Sequence, residues 1–289
     1  MIDQSLSQFE EHRGLLFGIA YRMLGSVTDA QDMVQESYLR WQQAADESIR
    51  SPRAWLTTVV TRLCISHLQS ARVKRETYVG PWLPEPLVDE HGGDPADTSQ
   101  LADSLSLAFL VLLETLSPTE RAVFILREGF DCEFSDIASI VEKSEANCRQ
   151  ILARARKRID ERKPRYDVVR TDADKLVATF VTAVRNGDVE TLITTMSDDV
   201  ALVLDAGGKP GALLRPIHGA EPIARVLINV LRKIGPEPGE IRPATINGLP
   251  GFVRFKDGHA QGVMAFGITG GRIQALFSIT NPDKLRHLH

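Results

Sequence analysis

Apolar residues recur with a helical period through the first 78 positions of the chain. Phe9, Leu16, Ile19, Ala20 and Met23 mark one stripe, which Gly25 breaks. Thr28 with Gln31 offers a capping box for the next helix, Asp29 to about Ala45, which buries Ala30, Met33, Val34, Ser37, Tyr38 and Trp41. Pro52 opens a third helix carrying Trp55, Val59 and Leu63 as its stripe, with Arg53 and Arg62 beside them. Residues 79–104 lose the period and hold Pro81, Pro84, Pro86, Gly92, Gly93 and Pro95, so they read as a linker. Trp82, Leu83 and Leu87 within it are costly to leave in water and predict that the linker docks on something.

The helical period returns over residues 105–165. Ser117, Pro118 and Glu120 supply an N-cap, an N1 proline and an N3 glutamate for a helix ending near Gly129. Residues 134–153 read as a helix-turn-helix. Ser135 to Val141 is the first helix, Glu142 and Lys143 the turn, and Ser144 the cap of the second. That second helix places Cys148, Ile151, Leu152, Ala155 and Ile159 on one buried stripe, and Asn147, Gln150, Arg154 and Arg158 on the opposite face. Such a helix can bury its stripe while aiming amide and guanidinium groups into a major groove.

From residue 170 the pattern becomes mixed. A helix over Asp172 to Arg185 stops at Asn186 and Gly187, and a short helical piece and a strand over Ala201 to Leu204 follow. A helix near Glu221 to Ile234 precedes four short strands, Glu240 to Ile246, Gly251 to Phe255, Gly262 to Ile268 and Arg272 to Ile279. The expectation for this half is an α+β domain with a curled antiparallel sheet.

Charge sharpens the reading of the helical half. The chain is net −4, yet residues 147–165 carry eight bases against Asp160 and Glu161, whereas residues 79–115 hold seven acids and no base. Basic charge gathered on the second helix of a helix-turn-helix is the footprint that phosphate contacts need. The longest apolar run, Leu107 to Leu113, is far too short to span a bilayer. The first residues lack the layout of a signal peptide, so the expected location is cytoplasmic with no membrane partner. Cys64, Cys132 and Cys148 show no paired spacing and read as packed thiols, with no disulfide, metal or cofactor implied.

Four motifs in series carry a more specific signal. Asp29-Ala-Gln-Asp-Met-Val-Gln-Glu36, Pro52-Arg-Ala-Trp-Leu56, Ser117-Pro-Thr-Glu-Arg121 and Ala155-Arg-Lys-Arg158 together resemble the extracytoplasmic-function sigma factors of bacterial RNA polymerase. The resemblance covers residues 5–163. It implies region 2 in residues 1–78, the acidic linker 79–104, and region 4 in residues 105–165. It also implies promoter-specific transcription initiation, a part in stress response, and two partners, promoter DNA and core polymerase through its β′ clamp helices and β flap. By the same resemblance Asp29, Asp32, Met33, Val34, Gln35 and Glu36 would meet core polymerase. The loop between Trp41 and Pro52 would capture a flipped base of the −10 element, with Arg50, Arg53 and Arg62 on the backbone. Asn147, Arg149, Gln150 and Arg154 would read the −35 element, with Arg156, Lys157 and Arg158 nearer phosphate. Arg149-Gln150-Ile151 stands where the family commonly has Lys-Ser-Arg.

Sigma factors of this type normally end near residue 165, and residues 170–289 look like a SnoaL-like domain. Trp82-Leu83-Pro84-Glu85-Pro86, Asp205-Ala-Gly-Gly-Lys209 and Asn281-Pro282-Asp283-Lys284-Leu285 mark the subfamily that carries this fused domain, with Ala206 where the pattern has glycine. The expected architecture is therefore two all-α sigma domains followed by an α+β cone. Trp82 and Leu83 are expected to pack against Lys209 and the segment Asn281 to Leu285. This would fix the spacing of the two DNA-reading domains in a chain that is monomeric when free and needs no dedicated anti-sigma factor. Asp205 to Lys209 reads as a tight loop at a strand end. Asp205, His218, Asp257 and His259 read as loop or surface groups, because no spacing fixes them as an acid/base pair, and no catalytic residue is assigned. The competing reading is a SnoaL-type cyclase or isomerase fused to a DNA-binding module. A ligand-sensing regulator is a third, which leaves Asp29 to Glu36 unexplained.

Overall fold

The computed structural model of the chain describes residues 2–44, 49–75, 80–89, 106–161, 170–208, 214–234 and 239–288. They fall into two compact units, residues 1–77 with 109–163 and residues 78–108 with 164–289.

The first unit is helical: α1 (Ile2–Leu24), α2 (Val27–Gln43), α3 (Pro52–Arg75), α4 (Leu107–Leu113), α5 (Pro118–Phe130), α6 (Phe134–Val141) and α7 (Glu145–Asp160). Helix α1 stops where Gly25 takes a φ of 65° and returns its N–H to the Tyr21 carbonyl at 2.7 Å. Helix α2 starts earlier than its sequence predicts. Ser26 is the cap, its hydroxyl accepting the Asp29 N–H at 3.0 Å, and Thr28 lies inside the first turn. The buried face of α3 also differs: Leu56, Val60 and Cys64 are fully enclosed, while Trp55, Val59 and Leu63 flank them at half burial. That helix is apolar over more than one stripe, and the neighbouring helices, which periodicity does not see, select the face.

Two buried arginines lock α5 to α1. Arg121 is 3% exposed and donates to the Met23 carbonyl and to Glu114 Oε1, both at 2.7 Å. One of the carbonyls orphaned at the end of α1 is thereby satisfied. Arg22 sits 5.0 Å over the Phe130 ring and donates to the Gly18 carbonyl. Its burial lowers the guanidinium to about 10, against a smaller opposing effect of Tyr21, so it stays charged at neutral pH.

The second unit contains β1 (Val88–Asp89), α8 (Arg170–Asn186), α9 (Val189–Thr195), β2 (Met196–Asp205), β3 (Ile217–His218), α10 (Ala220–Ile234), β4 (Glu240–Ile246), β5 (Leu249–Lys256), β6 (His259–Thr269) and β7 (Arg272–Ile279), closed by a 3-10 turn over Pro282–Lys284. The strands form one sheet in the order β1-β4-β5-β6-β7-β2-β3. Phe180 of α8 meets Phe266 of β6 edge-on at 5.1 Å in a core shared with Leu202, Ile223 and Leu276.

Two expectations are corrected here. The sheet is mixed, because β2 runs parallel to β7 with Asp205 beside Ile279. The linker also supplies a strand, β1, which pairs antiparallel with β4. Both pairings join segments far apart in the chain, so no local period announces them. The alternation that predicted β2 began only at Ala201, past the register shift between Met196 and Ala201. Strand β3 is too short to show any period.

Candidate functional site

The parallel pairing of β2 with β7 lays the Asp205 and Asn281 sequences side by side, and the linker peptide lies across them. Asp205 is fully buried. Its Oδ2 accepts the Leu83 N–H at 2.9 Å and the Lys284 Nζ at 2.7 Å, and its Oδ1 accepts the Gly207 N–H at 3.1 Å. Lys284, 7% exposed, also donates to the Leu83 carbonyl, and its ammonium stands 4.3 Å from the Trp82 ring centroid. One residue of the linker is therefore held on both sides, its N–H by the acid and its carbonyl by the base. A buried ion pair is tolerable only when its remaining lone pairs and protons are hydrogen-bonded, and the linker supplies part of that.

The surrounding loops are built to hold this arrangement. The backbone N–H groups of Thr280 and Asn281 both donate to the Asp205 carbonyl, at 2.8 and 3.2 Å. Asn281 caps the 3-10 turn through the Asp283 N–H, which places Lys284 inward. Gly207 holds a φ of 66°, and a Cβ there would stand 2.7 Å from Asn281 Cγ, so glycine is needed both for the turn and for close approach. Further along, Leu87 and Asn247 exchange two hydrogen bonds, N–H to Oδ1 at 2.9 Å and N–H to carbonyl at 2.8 Å. His287 Nε2 lies 2.8 Å from the Pro86 carbonyl. Leu83, Pro84, Glu85 and Pro86 are all buried.

Asp205 is thus neither a loop nor a surface group, because the acid is needed where linker and strand ends meet. The expected partner Lys209 lies outside the described residues. Of the dock's contributors, Asn247 and His287 had no sequence signal. Each acts through hydrogen bonds to a distant backbone, Asn247 through two and His287 through one, which neither motif nor period encodes. The four acid/base candidates do not converge: His218, Asp257 and His259 are exposed, and Asp205 is committed to the linker.

The helix-turn-helix follows its predicted boundaries to within a residue. Ser144 caps α7 at 3.2 Å, and Glu142 makes the turn with a φ of 56°. Ala146, Arg149, Gln150, Ala153, Arg154, Arg156 and Lys157 are exposed on α7, with Asn147 half-buried beside them. Arg149 pairs with Glu145 at 3.0 Å and stacks 4.6 Å over Phe134. Two of the expected phosphate contacts are occupied within the chain. Arg156 reaches Glu128 at 2.6 Å, and Arg158 reaches Glu120 and the Thr115 carbonyl at 3.3 and 3.2 Å. Both tie α7 to the helix and loop it packs on while keeping part of the side chain in solvent, 53% for Arg156 and 41% for Arg158.

On α2, Asp32 and Gln35 are exposed, Asp29, Met33 and Glu36 half-exposed, and Val34 is 5% exposed. Val34 therefore packs inward and offers no contact surface. Asp29 lies 3.6 Å from His67, and Glu36 pairs with Arg40. Trp41 is buried, its indole N–H on the Ser5 carbonyl, with Trp55 edge-on at 5.6 Å. An open cleft between α2 and α3 is lined by Arg40, Arg50, Trp55, Val59 and Arg62, with residues 45–48 of the expected capture loop outside the described residues. Arg53 is exposed. Arg62 donates to the Ser139 and Ile140 carbonyls at the end of α6 and pairs with Glu142 at 3.3 Å. In this arrangement it closes a helix C-terminus, where unpaired carbonyls favour a cation.

A helical half with a capped helix-turn-helix and an acidic α2 face, followed by a fused α+β domain, defines a class of transcription initiation factor. The family described as Sigma-70 region 2 matches residues 8–73, and Sigma-70, region 4 matches residues 106–159. The chain belongs to the ECF RNA polymerase sigma factors, DNA-binding proteins of transcription initiation. It is 36% identical over 293 residues to ECF RNA polymerase sigma factor SigJ of Mycobacterium tuberculosis, covering 96% of this chain and 92% of that protein. Probable ECF RNA polymerase sigma factor SigI of the same organism is 32% identical over 290 residues, covering 98% and 95%. The crystal structure of M. tuberculosis SigJ superposes with a TM-score of 0.76 at 34% identity, covering 97% of this chain and 98% of that one. These likenesses extend through the last third, so the α+β domain is part of the shared architecture.

Proposed function

We propose that this sigma factor binds core polymerase through the exposed part of the α2 face, around Asp32, Gln35 and Glu36, and that its C-terminal domain modulates its activity in cis by holding the linker. The cleft bounded by Arg50, Trp55 and Arg62 receives melted −10 DNA, and the α7 face of Arg149, Gln150 and Arg154 reads the −35 element. The chain works without catalysis, in the cytoplasm, and the fused domain takes the place of a dedicated anti-sigma partner. The observation that carries the cis-modulation reading is the buried Asp205–Lys284 pair closed on the Leu83 peptide. A linker needed only as a tether has no use for a buried charge pair that recognises its backbone. Docking shortens the free path between the two DNA-reading modules and so raises the effective concentration of one once the other is bound.

The test is promoter-specific transcription by core polymerase with the intact chain and with Lys284→Met. The expected result is a several-fold fall from a two-element promoter, with less effect when only the −10 element is present. Equal output from both proteins on both templates would remove the regulatory role from the dock.

A further inference from the structure

We propose that Arg149 reads a guanine of the −35 element and that Phe134 and Glu145 are the positioning residues that aim it; this rests on the reading of α7 as the −35 reader proposed above. Arg149 lies one turn into α7, which begins at Glu145, and the opening turns of a recognition helix are the ones that reach base edges. Ala146, three residues before Arg149, and Ala153, four after, are exposed on the same face. Side chains that short let the helix settle into the groove at the level of Arg149, and alanine can itself meet a thymine methyl.

Two groups hold the guanidinium. Its Cζ stands 4.6 Å from the centroid of the Phe134 ring, and its Nη2 donates to Glu145 Oε2 at 3.0 Å. The ring is itself anchored, because Arg127 lies 5.3 Å over it while donating to the Cys132 carbonyl at 2.9 Å. Phe134 opens α6, so the first helix of the helix-turn-helix supplies the platform and the second the cation. The bond to Glu145 takes one of the guanidinium donors, and the side chain remains 56% exposed. An arginine already stacked and paired loses less rotamer freedom on meeting a base than one that hangs in solvent.

Guanine is the base this arrangement fits. Its major-groove edge offers two acceptors, N7 and O6, to a planar fork, whereas adenine and cytosine each present an amino donor. Glu145 also places a carboxylate on a helix that must approach phosphate, which weakens attraction to DNA of every sequence. Its place in the first turn suits the helix dipole, a role in folding that leaves base preference untouched.

The test loads core polymerase with the full chain, selects from a linear duplex library whose randomised insert is long enough for both elements, and counts bases in the bound pool. A guanine is expected at one position of the upstream box, favoured about fivefold or more. Arg149→Ala removes that preference alone. Phe134→Leu lowers it about two- to fivefold, Phe134→Tyr keeps it, and Glu145→Gln lowers it about twofold while raising the total DNA bound. These are ratios within the bound pool, so a variant that folds poorly binds less DNA without moving them. Arg149→Ala that binds less DNA with every preference intact, the behaviour of a phosphate contact, or that loses a base other than guanine, overturns the assignment to Arg149. Phe134→Leu and Glu145→Gln that both keep the parent's ratio overturn the positioning role. A parent pool with no enriched upstream box sinks the reading of α7 itself.

Discussion

Replacing Lys284 by Met tests how the linker is held. The methionine keeps the apolar stem and removes the ammonium, which takes from the fully buried Asp205 carboxylate its charged partner on the 3-10 turn while the Leu83 and Gly207 N–H groups stay. Removing one partner of a buried pair costs about 3–5 kcal/mol, because the remaining charge loses that attraction without regaining water. That loss has a ceiling. Once the cost exceeds the free energy holding the linker, the linker lifts and Asp205 is rehydrated, so the variant opens locally while the rest of the domain stays folded. The Leu83 amide reports this event directly, since its protection depends on Asp205. A loss of about 3 kcal/mol corresponds to about two decades in its exchange rate. The amides of the β5–β6 pairing, whose partners lie within the sheet, should change little. Adding Asp205→Asn to Lys284→Met removes the stranded charge and should restore much of the protection, giving a coupling of a few kcal/mol in the double-mutant cycle. Leu83 exchange within threefold of the parent chain, or additivity of the two substitutions, would refute the argument that a buried ion pair is the clasp.

Three further substitutions have expected outcomes. Arg154→Ala should weaken binding to a −35 duplex and lower the salt dependence by about one counterion. Arg158→Met should leave that slope unchanged and lower stability, because its guanidinium is bound to Glu120 and Thr115; equal slopes for both variants in fluorescence titrations would reverse the assignment. At the start of α5, Ser117→Ala should cost about 1 kcal/mol in urea denaturation and flatten the acid limb of stability. Burial raises the Glu120 carboxyl, but hydrogen bonds from Ser117 and the charge of Arg158 more than offset that and leave it lowered. Its contribution is thus complete above the unfolded carboxylate range near about 4.3 and is lost as pH falls through the lower folded value. An unchanged acid limb in the variant would remove Glu120 from the account.

Helix boundaries were legible where a side chain closes its own turn. Ser117 with Glu120, and Ser144, act on backbone groups three residues away, so the signal is local and the structure agrees with it. Thr28 failed as a cap because Ser26 two residues earlier offers the same chemistry, and the turn at Gly25 selects between them. The recognition face of α7 was legible in part. Arg149, Gln150 and Arg154 point outward as their period requires, but Arg156 and Arg158 are claimed by Glu128 and Glu120 from another helix. Charge density shows how many cations a helix carries, not which of them are already paired.

The sequence alone determined the order of the modules, the helix-turn-helix, and the need of Trp82 and Leu83 for a dock, since those follow from period, caps and the cost of exposed apolar surface. It also singled out Asp205 and the Asn281 to Leu285 segment by resemblance, without saying what joins them. Only the tertiary structure decided that. The parallel alignment of β2 with β7 brings the far ends of two strands, Asp205 and Ile279, to the same end of the sheet. There, Asp205 and Lys284 can share a buried peptide of the linker. Pairing of distant segments is settled by the packing of the whole sheet against its helices, and a short-range pattern carries no information about it.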